Sequence, residues 1–147
     1  MVPDSAAIDT AVIALLQADP ELAAMVPDGV FYDLAPPNAT RFVIVSLIEA
    51  ADVDAFTGTR AAEHTAYLVN AVGLSTAMTD AQVNAARYRI DQLLSDQPLT
   101  VPGYAAATVH RDPNRPRERF KRPTTADASI AWIMHGGVYR VHASMPD

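Results

Sequence analysis

The stretch His110–Ala143, HRDPNRPRERFKRPTTADASIAWIMHGGVYRVHA, decides how this chain is read. It contains the end of one strand, an arm at 111–124, and a long apolar strand over Ala128–Ala143. The arm holds Arg111, Arg115, Arg117, Arg119, Lys121 and Arg122, six of the chain's 11 basic residues. Against only Asp112 and Glu118, these give the segment a charge of +4. The whole chain carries −6, so the rest of it carries −10. One basic projection therefore sits on an acidic body. Pro113, Pro116 and Pro123 lack the N–H that a sheet ladder needs. The arm is accordingly predicted as a long basic loop, not a central strand. Charges this dense repel one another and stay solvated unless a partner neutralises them. A loop of this length in a compact domain is uncommon and often functional.

The apolar strand after the arm places Trp132 and Tyr139 in the core. Gly136-Gly137 either bends it with a bulge or closes a tight hairpin. Working back, Tyr104–His110 reads as a strand and Asp96–Pro102 as a turn region. Thr79–Ser95 reads as a helix with Val83, Ala86, Ile90, Leu93 and Leu94 on its buried stripe. Thr79 and Gln82 make a capping-box pattern at its start. Glu63–Val72 is a strand, and the polar Ala51–Ala61 a loop. Arg41–Ala50 is the most apolar strand, with little polar alternation. A strand like that asks for cover on both faces. Helices supply one cover, and more of this chain or a neighbouring subunit supplies the other. Leu34–Thr40, with Pro36-Pro37, is a stiff loop, Val30–Asp33 a short strand, and Pro27-Asp28-Gly29 a turn. The chain opens with a helix over Ser5–Ala18, striped by Ile8, Val12, Leu15 and Leu16 and capped by Asp4 or Ser5. A short helix over Glu21–Met25 follows, with Pro20 at its first position. The fold class is α+β: a single domain over 1–147, with a mixed or antiparallel sheet, two main helices packed on it and a long basic loop.

At 147 residues, half of them hydrophobic, the chain can bury a real core. It has no cysteine, which excludes disulfides, thiolate zinc sites and a cysteine nucleophile. Met1–Ala7 lacks the basic and apolar parts of a signal peptide, and no apolar run approaches the roughly 20 residues of a membrane span. The expectation is a soluble protein made in the cytoplasm.

The residues offer little catalytic chemistry. There is no phosphate loop, dinucleotide fingerprint, His-Glu-x-x-His motif or G-x-S-x-G elbow. His64, His110, His135 and His142 lack metal-ligand spacing, and His135 and His142 fall on opposite faces of a regular strand. Asp52 and Asp54 are better read as solvated turn residues than as a cation site. No catalytic residue, cofactor or metal is expected. The arm permits phosphate contacts, with Phe120 stacking on a base. The acidic body opposes that, because a nucleic-acid-binding domain ordinarily shows a basic face. A protein contact through Arg111, Arg115, Arg117, Arg119, Phe120, Lys121 and Arg122 is equally consistent with the residues and is the one expected, since arginine binds carboxylates bidentately.

Three features together resemble the tail terminator (tail completion) proteins of long-tailed phages, the HK97-type and lambda-type family. The first is the opening helix with its proline-started successor and turn: Ile8, Ala11, Leu15, Leu16, Asp19, Pro20, Leu22, then Val26, Gly29, Val30 and Tyr32. The second is Ala35-Pro36-Pro37 leading into Arg41-Phe42-Val43-Ile44-Val45. The third is the closing strand His135-Gly136-Gly137-Val138-Tyr139-Arg140-Val141. The resemblance implies a virion structural protein without enzyme activity or cofactor. It implies a hexameric ring, a homo-oligomer that caps the tail tube protein and offers the head-side connector its docking surface. DNA would pass through the ring without sequence-specific binding, and no membrane would be involved. Its place would be the tail or neck of the virion, after assembly in the host cytoplasm. A head-closure or adaptor ring of the phage neck is the alternative, followed by a nucleic-acid-binding module using the arm.

Overall fold

The computed structural model describes residues 5–54 and 60–146, with the side chains of 53, 54, 60 and 61 outside the description. The elements in chain order are α1 (Ser5–Gln17), α2 (Pro20–Met25), β1 (Val30–Tyr32), β2 (Arg41–Asp54), β3 (Arg60–Leu74), α3 (Asp80–Leu94), β4 (Gln97–Leu99), β5 (Ala106–Arg111), β6 (Glu118–Pro123) and β7 (Ala131–Ser144). Among the described residues the strands form one mixed sheet in the order β1-β2-β3-β7-β5-β4, with β6 also on β7. Of the pairings among the described residues, only β1–β2 is parallel. The α+β expectation holds, with the helices gathered on one face of the sheet.

The local chemistry explains the helices. Asp19 caps α2 by accepting from the Leu22 N–H at 2.8 Å, and Pro20 starts the helix where a missing N–H costs nothing. The capping box at Thr79 and Gln82 is complete, so two otherwise orphaned donors are satisfied. Ile8, Val12 and Leu16 of α1, with Val83, Ala86, Ile90 and Leu94 of α3, are buried. They pack on Val43, Val45, Tyr67, Val69, Tyr139 and Val141 from the sheet. Leu15 and Leu93, expected on these stripes, pack at the margin. Gly29 adopts φ +111°, which lets the turn before β1 close.

Several sequence expectations are corrected. Ala51–Ala61 is not simply a loop, because β2 runs to Asp54 and β3 begins at Arg60. Backbone pairing in this long hairpin continues past the apolar run, since polar side chains can face water while the ladder is satisfied. Asp52 and Asp54 therefore end a strand. Gly58 and the Asp4 cap lie outside the described residues. The Asp96–Pro102 turn region contains strand β4, which pairs with β5. The last strand is continuous from Ala131 to Ser144, so Gly136-Gly137 is not a hairpin. A β-carbon on Gly136 would lie 1.9 Å from Asn70 Oδ1 and 2.3 Å from the Val69 carbonyl oxygen, so glycine is required there by close backbone approach. Gly136→Ala should cost about 3 kcal/mol. At Gly137 the nearest atom to an added carbon is 3.7 Å away, so Gly137→Ala should cost under about 1 kcal/mol. Urea unfolding of the two variants checks this, and equal midpoints would contradict it.

The face away from the helices carries a smaller apolar cluster. Phe42 stacks edge-on against Phe31 and Trp132, with ring centroids 6.3 and 5.9 Å away. Ala39 and Val72 complete its buried part, and Ala35, Ile44 and Met134 pack on it. Tyr139 is in the main core as expected, whereas Trp132 belongs half-buried to this second cluster.

Candidate protein-contact surface

The arm is half loop and half strand. β5 pairs with Tyr139–Ser144 and β6 with Ala131–Gly136, both along the same edge of β7. The two are thus one antiparallel strand interrupted by the excursion Asp112–Arg117. Pro113 and Pro116 fall in the excursion, and Pro123 ends β6, so each proline sits where no ladder donor is needed. The prediction of a continuous loop fails over Glu118–Pro123 for that reason. The excursion is pinned at its base. The Asp112 N–H donates to the Val138 carbonyl at 2.8 Å, and its carboxylate accepts from Arg140 Nε at 2.7 Å and the Asn114 N–H at 2.9 Å. Arg140, then Asn114, holds the Asp112 carboxyl below the usual carboxylate range.

Helix α3 carries a second stripe beside its apolar one. Asp80, Asn84, Arg87 and Asp91 recur at helical spacing, and the arm lies along them. Arg119 Nη2 donates to Asp80 Oδ2 at 2.8 Å, and His135 Nε2 lies 3.1 Å from Asp80 Oδ1. His135 first, then Arg119, lowers the Asp80 pKa. Asp91 Oδ1 accepts from the Tyr139 hydroxyl at 2.9 Å and from Ser95 Oγ at 3.1 Å. Burial and that contact with Asp91 push the Tyr139 hydroxyl well above its ordinary value. Arg111 Nε and Arg117 Nη2 approach Asp91 at 3.5 and 3.6 Å.

The seven residues singled out in the arm thus reach different places. Arg111, Arg117 and Arg119 turn back on α3 of their own subunit. Arg115, Lys121 and Arg122 are exposed and form no ion pair among the described residues. Phe120 is 40% exposed beside Met134, on the sheet face away from the helices. Arg122 shares that face and borders a groove of about 360 Å³ lined by Leu34, Pro36, Pro37, Phe42 and Trp132. Sequence reasoning missed Asp80, Asp91, Asp112 and Arg140. The 11-residue spacing of Asp80 and Asp91 beside an apolar stripe is the signal for the first two. Nothing in the linear sequence links Asp112 to Arg140.

A second feature is the free edge of β2. β1 pairs only with Val43–Val45, so from Ser46 onward the outer edge of β2 has no strand partner among the described residues. A bulge falls between Leu47 and Glu49. Here Leu47 is 38% and Ile48 42% exposed, and Leu34, past the end of β1, is 83% exposed. Among the described residues the full cover expected for this strand is absent.

The histidines separate as expected, with His135 against α3 and His142 on the opposite face. His142 Nδ1 meets His64 Nε2 at 2.7 Å across β3 and β7. Among the described residues no three potential ligands are arranged for a metal ion.

The lowered pKa values of Asp80 and Asp112 give the arm's attachment a pH dependence. A carboxyl that titrates lower in the folded than in the unfolded chain stabilises fully above its unfolded value. That contribution fades as pH falls through the folded value, so attachment weakens below about pH 4. Melting temperatures at pH 6 and pH 3 should therefore fall less between the two for Asp80→Asn/Asp112→Asn than for the native chain. Parallel curves would contradict this.

Comparison with known proteins follows the same lines. The sequence model of the family described as tail completion protein gp17 matches residues 10–134. A chain in the virion of a native gene transfer agent particle is 24% identical, with a TM-score of 0.61, and the match covers 95% of this chain and 96% of that one. A second solved structure is 18% identical, with a TM-score of 0.62 and 98% of each chain covered. Both likenesses concern the fold. No curated protein matches the chain. With the family match spanning most of the sequence, the chain belongs to the tail completion protein gp17 family and is a structural protein of the phage tail.

Proposed function

We propose that the protein is a tail terminator, six copies of which form a ring that caps the finished tail tube and offers the docking surface to the head-side connector. The free edge of β2 carries this reading. An unpaired edge with exposed apolar side chains is a template for pairing with another chain. Joined to a different surface of the next copy, it makes the head-to-tail contact from which rings close. Chain 1–147 acts as one domain, with the basic arm as a second contact. Arg115, Lys121, Arg122 and Phe120 reach acidic and apolar surfaces of the tube or of a neighbouring copy. DNA passes through the ring without sequence-specific contact, and neither cofactor nor catalytic residue takes part. Assembly takes place in the host cytoplasm before the ring joins the virion.

The test is Ile48→Asp. This exposed position tolerates the change in the single subunit, so circular dichroism and melting temperature should match the native chain. The native mass, measured with tail tubes present, should fall from the ring to the monomer. An unaltered ring in this variant would remove the β2 edge from the interface.

A further inference from the structure

Arg87, Arg111 and Arg117 lie within electrostatic range of one another around the single carboxylate of Asp91. Asp91 is already engaged, since Tyr139 and Ser95 both donate to its Oδ1. Arg111 and Arg117 stand at 3.5 and 3.6 Å from it, within ion-pair range but beyond good hydrogen-bond geometry. Arg87 donates through Nε to Asn84 Oδ1 at 3.1 Å, while its Nη1 is buried without a hydrogen-bond partner among the described residues. Burial, then Arg117, depresses the Arg87 pKa. Three cations thus surround one occupied anion, leaving an excess of two positive charges beneath the arm. A buried donor such as Arg87 Nη1 is rarely left without a partner. The outer members are open to a ligand: the Arg111 and Arg117 side chains are 34% and 46% exposed.

We infer that this arginine cluster is a binding site for a carboxylate side chain supplied by a neighbouring copy of the chain. An arginine fork binds a carboxylate bidentately, and Arg111 and Arg117 have donors to spare. Arg87, within electrostatic range of both, adds its charge to the site without touching the ligand. Charge complementarity selects the occupant. Outside the arm the chain carries −10, so a second copy offers an excess of aspartates and glutamates over basic residues. A duplex lying along the same surface would meet that acidic body. The inference rests on the ring reading above and names the chemistry of one of its contacts.

The test compares the native chain with Arg117→Gln and Arg87→Gln, with tail tubes present. Arg117 is in the exposed excursion, so its variant keeps the fold. Both variants should assemble at least tenfold more weakly than the native chain, while circular dichroism shows the monomer still folded. Native-like assembly of both variants overturns the carboxylate site and leaves the ring intact. A native chain that stays monomeric on tubes overturns the ring reading and the site with it. Fluorescence anisotropy with a 20-base-pair duplex supplies the remaining arm. Duplex binding by the native chain, lost in both variants while assembly persists, would assign the cluster to phosphate and overturn the proposal.

Discussion

Reversing Arg115, Lys121 and Arg122 to glutamate is expected to leave the subunit folded and to weaken tube capping by at least about a hundredfold, roughly 3 kcal/mol. These three arm cations are exposed and form no ion pair within the subunit among the described residues. Arg115 adds only a Coulombic pull on the Asp112 carboxyl, behind the hydrogen bonds from Arg140 and Asn114, so the subunit stays folded without it. Reversal places three negative charges where a partner surface expects positive ones, and like charges meeting across an interface also slow encounter. Arg117 and Arg119 make an instructive contrast. Glutamate at those positions would face Asp91 and Asp80, so the arm would lift from α3 and the subunit itself would lose stability. Circular dichroism, melting temperature and co-sedimentation with tubes separate the two cases. Native capping by the outward triple variant would contradict the contact. Loss of DNA retention with normal capping would move the arm to a DNA contact.

Ile90→Ala is expected to destabilise the chain by about 2–5 kcal/mol. Ile90 is 1% exposed in the middle of the α3 stripe, among Val83, Ala86 and Leu94, against the sheet. Removing its outer carbons leaves a void that close-packed neighbours fill only in part. For a domain of this size each kcal/mol moves the melting temperature by about 2–4 °C, so a fall of roughly 5–15 °C follows. Tyr88→Ala, on the exposed side of the same helix, should change stability by no more than about 0.5 kcal/mol. Equal melting temperatures for the two variants would mean that α3 presents a different face to the sheet.

The periodic stretches are readable from residues alone because local physics sets them. The stripe of α3, its capping box and the proline start of α2 depend on neighbours within four positions. The β2–β3 hairpin outruns its apolar pattern because ladder hydrogen bonds, not hydrophobicity, extend it. The arm hides its second half for a related reason. Residues 118–123 have the composition of a solvated loop, and only the free edge of β7 makes them a strand. Counting charge along the chain gives the arm's excess correctly but not its distribution. Half of its six cations meet Asp80 and Asp91, which lie 20 to 39 residues away in sequence. That pairing turns a free projection into an arm held against α3, with Arg115, Lys121 and Arg122 left outward. Likewise, the unalternated run Phe42–Ile48 announces a need for cover. It does not reveal that the Pro36-Pro37 loop meets part of that need and that Leu47 and Ile48 remain open.

An electron cryomicroscopy reconstruction of the assembled particle, focused on the head-proximal end of the tail tube, tests the terminator ring most directly. It should show six copies of this chain in a closed ring on the last tube layer, with the β2 edge from Ser46 to Asp54 buried against the next copy. A single copy or three copies at that position, or a ring in which this edge faces solvent, would contradict it.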